Sequence, residues 1–325
     1  MSAANPATET TLTTLDVVTL GEAMLMLVAG ETGPLEQVPH FHKRTAGAET
    51  NVAIGLARLG LRVGWGSRLG ADSMGRYLLA EMQREGVDCT QVMLTADATT
   101  GFQFKGRVSD GSDPPVEYHR KGSAASLMHV AQLNESWLLQ ARHLHVTGVF
   151  PAISPSCLEV TQRAMAVMRS AGRSLSFDPN LRPTLWTSQA HMRDTLNALA
   201  VQCDWVLPGL AEGRLLTGEQ NPEAIARYYR QRGVACVVIK LGPQGAYFDD
   251  SREGCGYVPA FPVVDVVDTV GAGDGFAVGV ISALLDGQDM VKAVRRGAWI
   301  GARAVQVMGD TEGLPTLAEL NEITL

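Results

Sequence analysis

A three-layer α/β fold, with a mostly parallel central sheet, helices on both faces and a small antiparallel β lid, is what this sequence predicts. Three observations carry it. Short β-branched apolar runs alternate with helical segments along most of the chain, and repeated βα units set strands side by side in one direction. One stretch, "TTGFQFKGRVSDGSDPPVEYHRKG", breaks that rhythm by alternating aromatic and polar residues around a Gly-Ser-Asp-Pro-Pro turn, the pattern of an antiparallel hairpin. Near the C-terminal end, "DTVGAGDGF" sets glycines 271, 273 and 275 between an extended run and a helix.

The elements follow in order. Residues 1–15 are Thr/Ala-rich and read as a frayed tail, and a single domain spans 16–325. "DVVTLGEAMLMLV" reads as one buried strand, the first of the central sheet. "ETNVAIGLARLG" has the apolar spacing of a helix, small residues for close packing, and Gly60 as its stop. "RVGWGSRLG" returns as a strand, and "DSMGRYLLAEMQREGV" is a second amphipathic helix. The aromatic hairpin has no place in a sheet covered on both faces, so insertions around 24–45 and 98–121 build a lid over one end. From Arg142 onward "HLHVTGVF", "SLSFDPNLR", "WVLPG" and "ACVVIKLG" are strands separated by helical segments. "YVPAFPVVDVV" is strand or extended chain, and "FAVGVISALLDG" is a helix ending at a glycine.

Composition excludes several classes. At 325 residues the chain is long enough for a sizeable core, and its net charge of −7 argues against a nucleic-acid or anionic-membrane binder. No run approaches the ~20 apolar residues of a membrane span, and the first residues carry neither the basic nor the apolar region of a signal peptide. Cys89, Cys157, Cys203, Cys236 and Cys255 are scattered without a CxxC pair, which reads as reduced thiols of a cytoplasmic protein rather than a disulfide frame or zinc site. His40, His42, His143 and His145 alternate in pairs, but no carboxylate falls at ligand spacing and their role reads as structural. His119 points away from the face that Tyr118 and Arg120 share.

Glycines at alternate positions cost a helix roughly 1 kcal/mol each relative to alanine, so "GAGDG" has a use that needs bare backbone. Strand, small-residue turn and helix together make an anion hole, where free N–H groups and the positive end of the helix dipole face a phosphate. Asp274 stands at the start of that helix, as a helix cap or as a general base. In open α/β sheets ligands bind beyond the C-terminal ends of the strands. There the sequence collects Gly47 and Asn51, Arg68, Asp178 with Asn180 and Arg182, Glu212, Lys240 with Gly242, and Asp268 to Asp274.

"DTVGAGDGF" resembles the C-terminal signature of the ribokinase-like (phosphofructokinase-B) carbohydrate kinases, and "AGAETNVAIGLARLG", running on to Gly70, resembles their N-terminal signature. The likeness covers the chain after the tail, including "KLGPQG" and "DPNLRP". It implies the ribokinase-like fold and transfer of the γ-phosphoryl group of ATP to a sugar hydroxyl. Asp274 is then the general base, and Gly271, Ala272 and Gly273 belong to the anion hole. ATP lies along Lys240, Gly242 and Gly245, with Thr269, Gly271 and Gly273 near its phosphates. Asp268 and Thr269 shape the loop, where relatives often hold a monovalent cation such as K⁺. Mg²⁺ arrives on the nucleotide with no protein cage, Glu212 reaching it through water. Relatives often carry Asn-x-x-Glu here; this chain has Gly209 in place of the Asn, and Ala298 where many have an Asn near the nucleotide. The family's lids commonly pair subunits, which implies a homo-oligomer.

Three features bear on the acceptor. Ribose and fructose kinases of this type usually carry an Asp where this chain has Met26. Tyr118 and Arg120 alternate onto one face of the lid strand as a carboxylate clamp. Arg182 emerges at a strand end. "GAETN", "YHRKGSA" and "DPNLRPTLW" look most like the 2-keto-3-deoxygluconate kinases of that family. This implies an acid whose C6 hydroxyl meets Asp274, whose chain is held by Gly47 and Asn51, and whose carboxylate meets Tyr118 and Arg120. Phe102 and Phe104 read as packing residues of the lid. A fructokinase or other neutral-sugar kinase is the alternative within the family, and a non-catalytic sugar-binding regulator is the alternative outside catalysis. A dinucleotide-binding fold fails for want of GxGxxG after the first strand.

Overall fold

The computed structural model describes residues 14–108 and 114–323; the tail residues 1–13 and residues 109–113 of the hairpin turn lie outside the described residues. The strands are β1 (Leu15–Leu20), β2 (Met24–Ala29), β3 (Phe41–Ala46), β4 (Val63–Gly70), β5 (Asp88–Thr95), β6 (Phe102–Lys105), β7 (Val116–His119), β8 (Ala141–Thr147), β9 (Ser174–Asp178), β10 (Trp205–Val206), β11 (Cys236–Lys240), β12 (Ala246–Asp250) and β13 (Gly254–Val258). The helices are α1 (Ala48–Arg58), α2 (Ser73–Arg84), α3 (Glu135–Leu138), α4 (Phe150–Ile153), α5 (Pro155–Ser170), α6 (Gln189–Ala200), α7 (Leu210–Thr217), α8 (Pro222–Arg230), α9 (Ala272–Leu285), α10 (Met290–Ala304) and α11 (Leu317–Glu322).

Nine strands form the large sheet in the order β13-β12-β11-β10-β9-β8-β1-β4-β5. Seven run parallel, and β12 and β13 add an antiparallel edge. Both faces are covered, so strand residues alternate between two cores. In β11, Val237 and Ile239 pack with helices α5 to α8, while Cys236 and Val238 pack with α1, α2, α9 and α10. That two-sided burial is why the strands read as unbroken apolar runs.

The small sheet has the order β3-β2-β6-β7. It is antiparallel at both edge pairs, but its middle pair, β2 with β6, runs parallel. One expected strand proves to be two. "DVVTLGEAMLMLV" divides between β1 of the large sheet and β2 of the small one, and Leu15, read above as tail, opens β1. The break falls at Gly21, whose carbonyl is turned aside to accept from Trp65 Nε1 at 3.1 Å and Ser67 Oγ at 2.7 Å. A side chain at Gly21 would strike Glu49, so an apolar run that looked continuous bends at its one bare position. The lid thus stands over the C-terminal ends of β1, β8, β9 and β11, where the expected site residues gather.

Candidate active site

Asp274 sits in the first turn of α9, 7% exposed. It does not cap the helix: Gly271 occupies that position in a left-handed conformation (φ 85°), and no side chain caps the first turn. The Asp274 carboxylate turns outward instead. Its Oδ2 accepts from Asn51 Nδ2 at 2.8 Å and its Oδ1 from Asn180 Nδ2 at 3.1 Å. Burial, reinforced by the Asp178 and Asp310 charges, pushes its carboxyl up to about 8 against the opposing Asn51 hydrogen bond. A carboxylate held by two amides and raised toward neutrality has the properties of a general base.

Around it lies a cavity of about 440 Å³ between the strand ends and the small sheet. On one side are Thr269, Val270, Gly271 and Gly273. The uncapped N–H groups of α9 and its positive dipole end open here, ready for an anion. Only glycine fits at 271: besides its positive φ, a Cβ there would meet the Asp310 carbonyl at 2.6 Å. Lys240 enters from the end of β11, its Nζ 2.6 Å from Asp178 Oδ2. Although burial pulls its pKa down, the Asp178 and Glu212 carboxylates hold Lys240 above its ordinary value, so it stays charged. Its Nζ is 3.5 Å from where a Cβ at Gly273 would stand, which puts a fixed positive charge beside the anion hole.

The opposite wall is the small sheet and the start of α1. Gly47, Asn51, Tyr118, Arg120 and Arg182 all line the cavity, joined by Glu22, Met24 and Gln103. Gly47 (φ 148°) leads into α1 where a Cβ would meet the Glu22 carbonyl at 2.5 Å. Arg120 lies one residue beyond the end of β7 and is ion-paired with buried Glu22, which also accepts from Ser123 Oγ. The guanidinium is therefore not a free cation, but its Nε is buried without a partner among the described residues. Tyr118 is 49% exposed at the cavity mouth.

Several expectations change. Met26 does not face the acceptor: it is fully buried with Val28 and Ala46, and Met24, two residues earlier on the same face, stands in the wall. Ala272, Gly242 and Gly245 are not among the lining residues. Ala272 opens α9, and the two glycines close the tight turn between β11 and β12 with positive φ of 58° and 94°. Glu212 lines the cavity, yet both its oxygens are engaged by backbone, accepting from Leu181 N at 2.8 Å and Gly209 N at 2.7 Å. It holds the start of α7 and braces the loop carrying Asn180. Phe102 and Phe104 face away from the cavity and cluster with Phe41 and His119 on the outer face of the small sheet. His143 and His145 are buried between Ser174 and Ser176, each ring nitrogen contact being 2.8 Å, and burial lowers both pKa values, His145 to about 3. No cluster that could hold a metal ion occurs among the described residues. Arg68 points to Thr95 and Leu127, away from the site.

Sequence reasoning singled out neither Asn180 as the partner of Asp274 nor Asp310 and Gln103 as wall residues. Asn180 is the one non-glycine with positive φ among the described residues (φ 40°), a conformation that asparagine tolerates and that the sequence alone does not reveal. A polyphosphate fits the wall beside α9, where uncapped N–H groups, two glycines and a charged lysine converge.

Comparison with known proteins finds relatives along nearly the whole chain. The model of the pfkB family carbohydrate kinases matches residues 14–317. The 2-dehydro-3-deoxygluconokinase of Bacillus subtilis (strain 168) is 51% identical over 307 residues, 94% of each chain. The crystal structure of a PfkB protein from Polaromonas sp. JS666 is 65% identical with a TM-score of 0.89, covering 95% of this chain and 100% of that one. That of a putative ribokinase II from E. coli in complex with ATP and Mg²⁺ has a TM-score of 0.87 at 27% identity, covering 94% of this chain and 98% of the other.

Proposed function

The chain belongs to the pfkB family of carbohydrate kinases, and from that premise we propose that it phosphorylates the C6 hydroxyl of 2-keto-3-deoxygluconate with ATP. The observation that carries the acceptor class is Arg120. Arg120 lines the cavity together with Tyr118 and Asp274, and its Nε is buried without a partner among the described residues. A buried donor left without an acceptor costs about 1–3 kcal/mol, and a substrate carboxylate supplies the acceptor it lacks. The close likeness to the B. subtilis 2-dehydro-3-deoxygluconokinase supports the same substrate.

The chain's own residues divide the work. Gly47 lets the acceptor lie against backbone, and Asn51 and Asn180 aim the base. Asp274 removes the proton from the attacking hydroxyl as the oxygen–phosphorus bond forms and the bond to ADP breaks. The amides of Gly271 to Asp274 and the Lys240 ammonium receive the charge that builds on the transferring group. Mg²⁺ carried on the nucleotide would supply neutralisation of the phosphate charge, with Glu212 in the cavity wall. Arg182, lining the cavity, serves the acceptor or the phosphoryl group.

The test is ADP release from Mg-ATP with 2-keto-3-deoxygluconate, fructose, ribose and gluconate in parallel. We expect kcat/KM for the keto-deoxy acid to exceed the neutral sugars at least ~100-fold, the range a lost charged contact commands. Arg120→Ala then raises KM for the acid and leaves KM for ATP in place. One observation favours a second reading: because Glu22 already neutralises the guanidinium, a neutral sugar is also accommodated. Robust turnover of fructose, unchanged in Arg120→Ala, would establish it. The reading includes a cytoplasmic homo-oligomer paired through the small sheet; no helix among the described residues is long and apolar enough to cross a membrane.

A further inference from the structure

Lys105 is fully buried, a rare state for a lysine unless it is paired. It projects from β6 of the small sheet, and its Nζ lies 2.5 Å from Asp268 Oδ2 and 3.5 Å from Asp310 Oδ1. Both carboxylates are buried, and both abut the anion-hole loop. Asp268 Oδ1 accepts from Val270 N at 3.1 Å. The Asp310 carbonyl lies where a Cβ at Gly271 would fall. The ammonium thus fastens two supports of the loop that carries Gly271, Gly273 and Asp274, and it does so from the strand whose Gln103, two residues earlier, lines the cavity.

We propose that Lys105 is a resident cation of the anion-hole loop, filling with a side-chain ammonium the electrostatic role that relatives give to a bound monovalent ion. A second cation beside Asp268 would be repelled at contact distance by the charge already there, and that carboxylate has its oxygens committed to Lys105 and Val270. The residues present therefore do not fit K⁺ at this carboxylate. Turnover is independent of monovalent cations, and Lys105 acts as a positioning residue rather than a catalytic one. The inference rests on the kinase reading but not on the identity of the acceptor.

The experiment uses the full chain in tetramethylammonium buffer at constant ionic strength, with K⁺, Na⁺ or NH₄⁺ titrated in. For the wild type we expect kcat to change less than about twofold and the thermal midpoint not to depend on which cation is present. In Lys105→Gln we expect kcat to fall by roughly 10²-fold, as when one preorganised electrostatic element is lost, with KM for ATP little changed. K⁺ or NH₄⁺ then restores part of kcat and raises the thermal midpoint of the variant alone. A purely structural lysine would give a variant that is less stable but neither slowed in kcat nor rescued. A wild-type rate that rises severalfold with K⁺, or a variant with wild-type kcat, overturns the proposal. Should Lys105→Gln fail to fold, the wild-type titration decides by itself. Should no sugar turn over, the cation dependence of the thermal midpoint still reads the site while the acceptor assignment fails separately.

Discussion

As the proposed general base, Asp274 has to be ionised to accept a proton, yet it is buried where ionisation is costly, and its pH behaviour follows. Its carboxyl is raised to about 8, first by burial and then by Asp178 and Asp310. The active form is the deprotonated one, so kcat/KM rises with pH, falling about tenfold for each unit below that value and levelling above it. Asp274→Ala lowers kcat by ~10²–10⁴ and removes that limb of the profile. A flat wild-type profile from pH 6 to about 9, or a loss in the variant smaller than about tenfold, would show another group to be the base. At this scale the sequence was legible where chemistry is local. "GAGD" points to Asp274 because bare backbone and a carboxylate stand as neighbours in the chain, and the structure sets that carboxylate in the cavity wall. Met26 was misplaced by one turn of the β pleat, since the same alternation puts both Met24 and Met26 on the inner face and only packing decides which one reaches the cavity. Lys105 could not be found, because its partners lie 163 and 205 residues away and a lysine in an alternating strand reads as exposed.

Among elements, the anion hole depends on how closely α9 approaches α10. Gly279 of α9 lies against Gly297 of α10 so tightly that a Cβ at 279 would sit 2.5 Å from the Gly297 Cα. Gly275, one turn earlier, packs toward Ile300 and Leu314. Backbone cannot yield as a side-chain tip can, so Gly279→Ala forces the helices apart at a cost of about 1–3 kcal/mol. Because α9 begins at the anion hole, the displacement reaches Asp274 as well. We expect a lower denaturation midpoint together with a several-fold lower kcat, misplacement of reacting groups being costly. An unchanged midpoint would mean the helices adjust by sliding. The helices themselves were readable from spacing and caps, α2 for instance from Asp72, whose side chain accepts from Gly75 N at 2.7 Å. The strands β5 and β12 went unread: β5 is half-exposed at an edge and β12 is an antiparallel return, so neither announces itself as a long buried run.

Across the whole molecule the small sheet works on both faces. Its inner face, with Gln103 and Tyr118, closes the cavity. Its outer face holds an aromatic cluster in which Phe102 stacks on His119 with centroids 4.6 Å apart and Phe104 meets Phe41 edge-on at 5.2 Å. Leu27 lies in register with Phe104 on that face. A sheet needs cover on its apolar side, and no helix among the described residues packs on this aromatic cluster, whereas both faces of the large sheet are covered by helices. An apolar face on a sheet that must also keep its inner side over the substrate is suited to a second copy, since an isologous contact buries the same patch on both subunits. A homo-oligomer paired through this face, as proposed above, would be tied to activity and not only to solubility. Light scattering on the wild type should give a multiple of the chain mass. Phe104→Asp, which touches nothing in the cavity, should give the monomer with a raised KM for the acceptor, because an unpaired lid closes less firmly. A wild-type monomer would overturn the pairing. A monomeric variant with wild-type KM would keep the interface but separate it from catalysis.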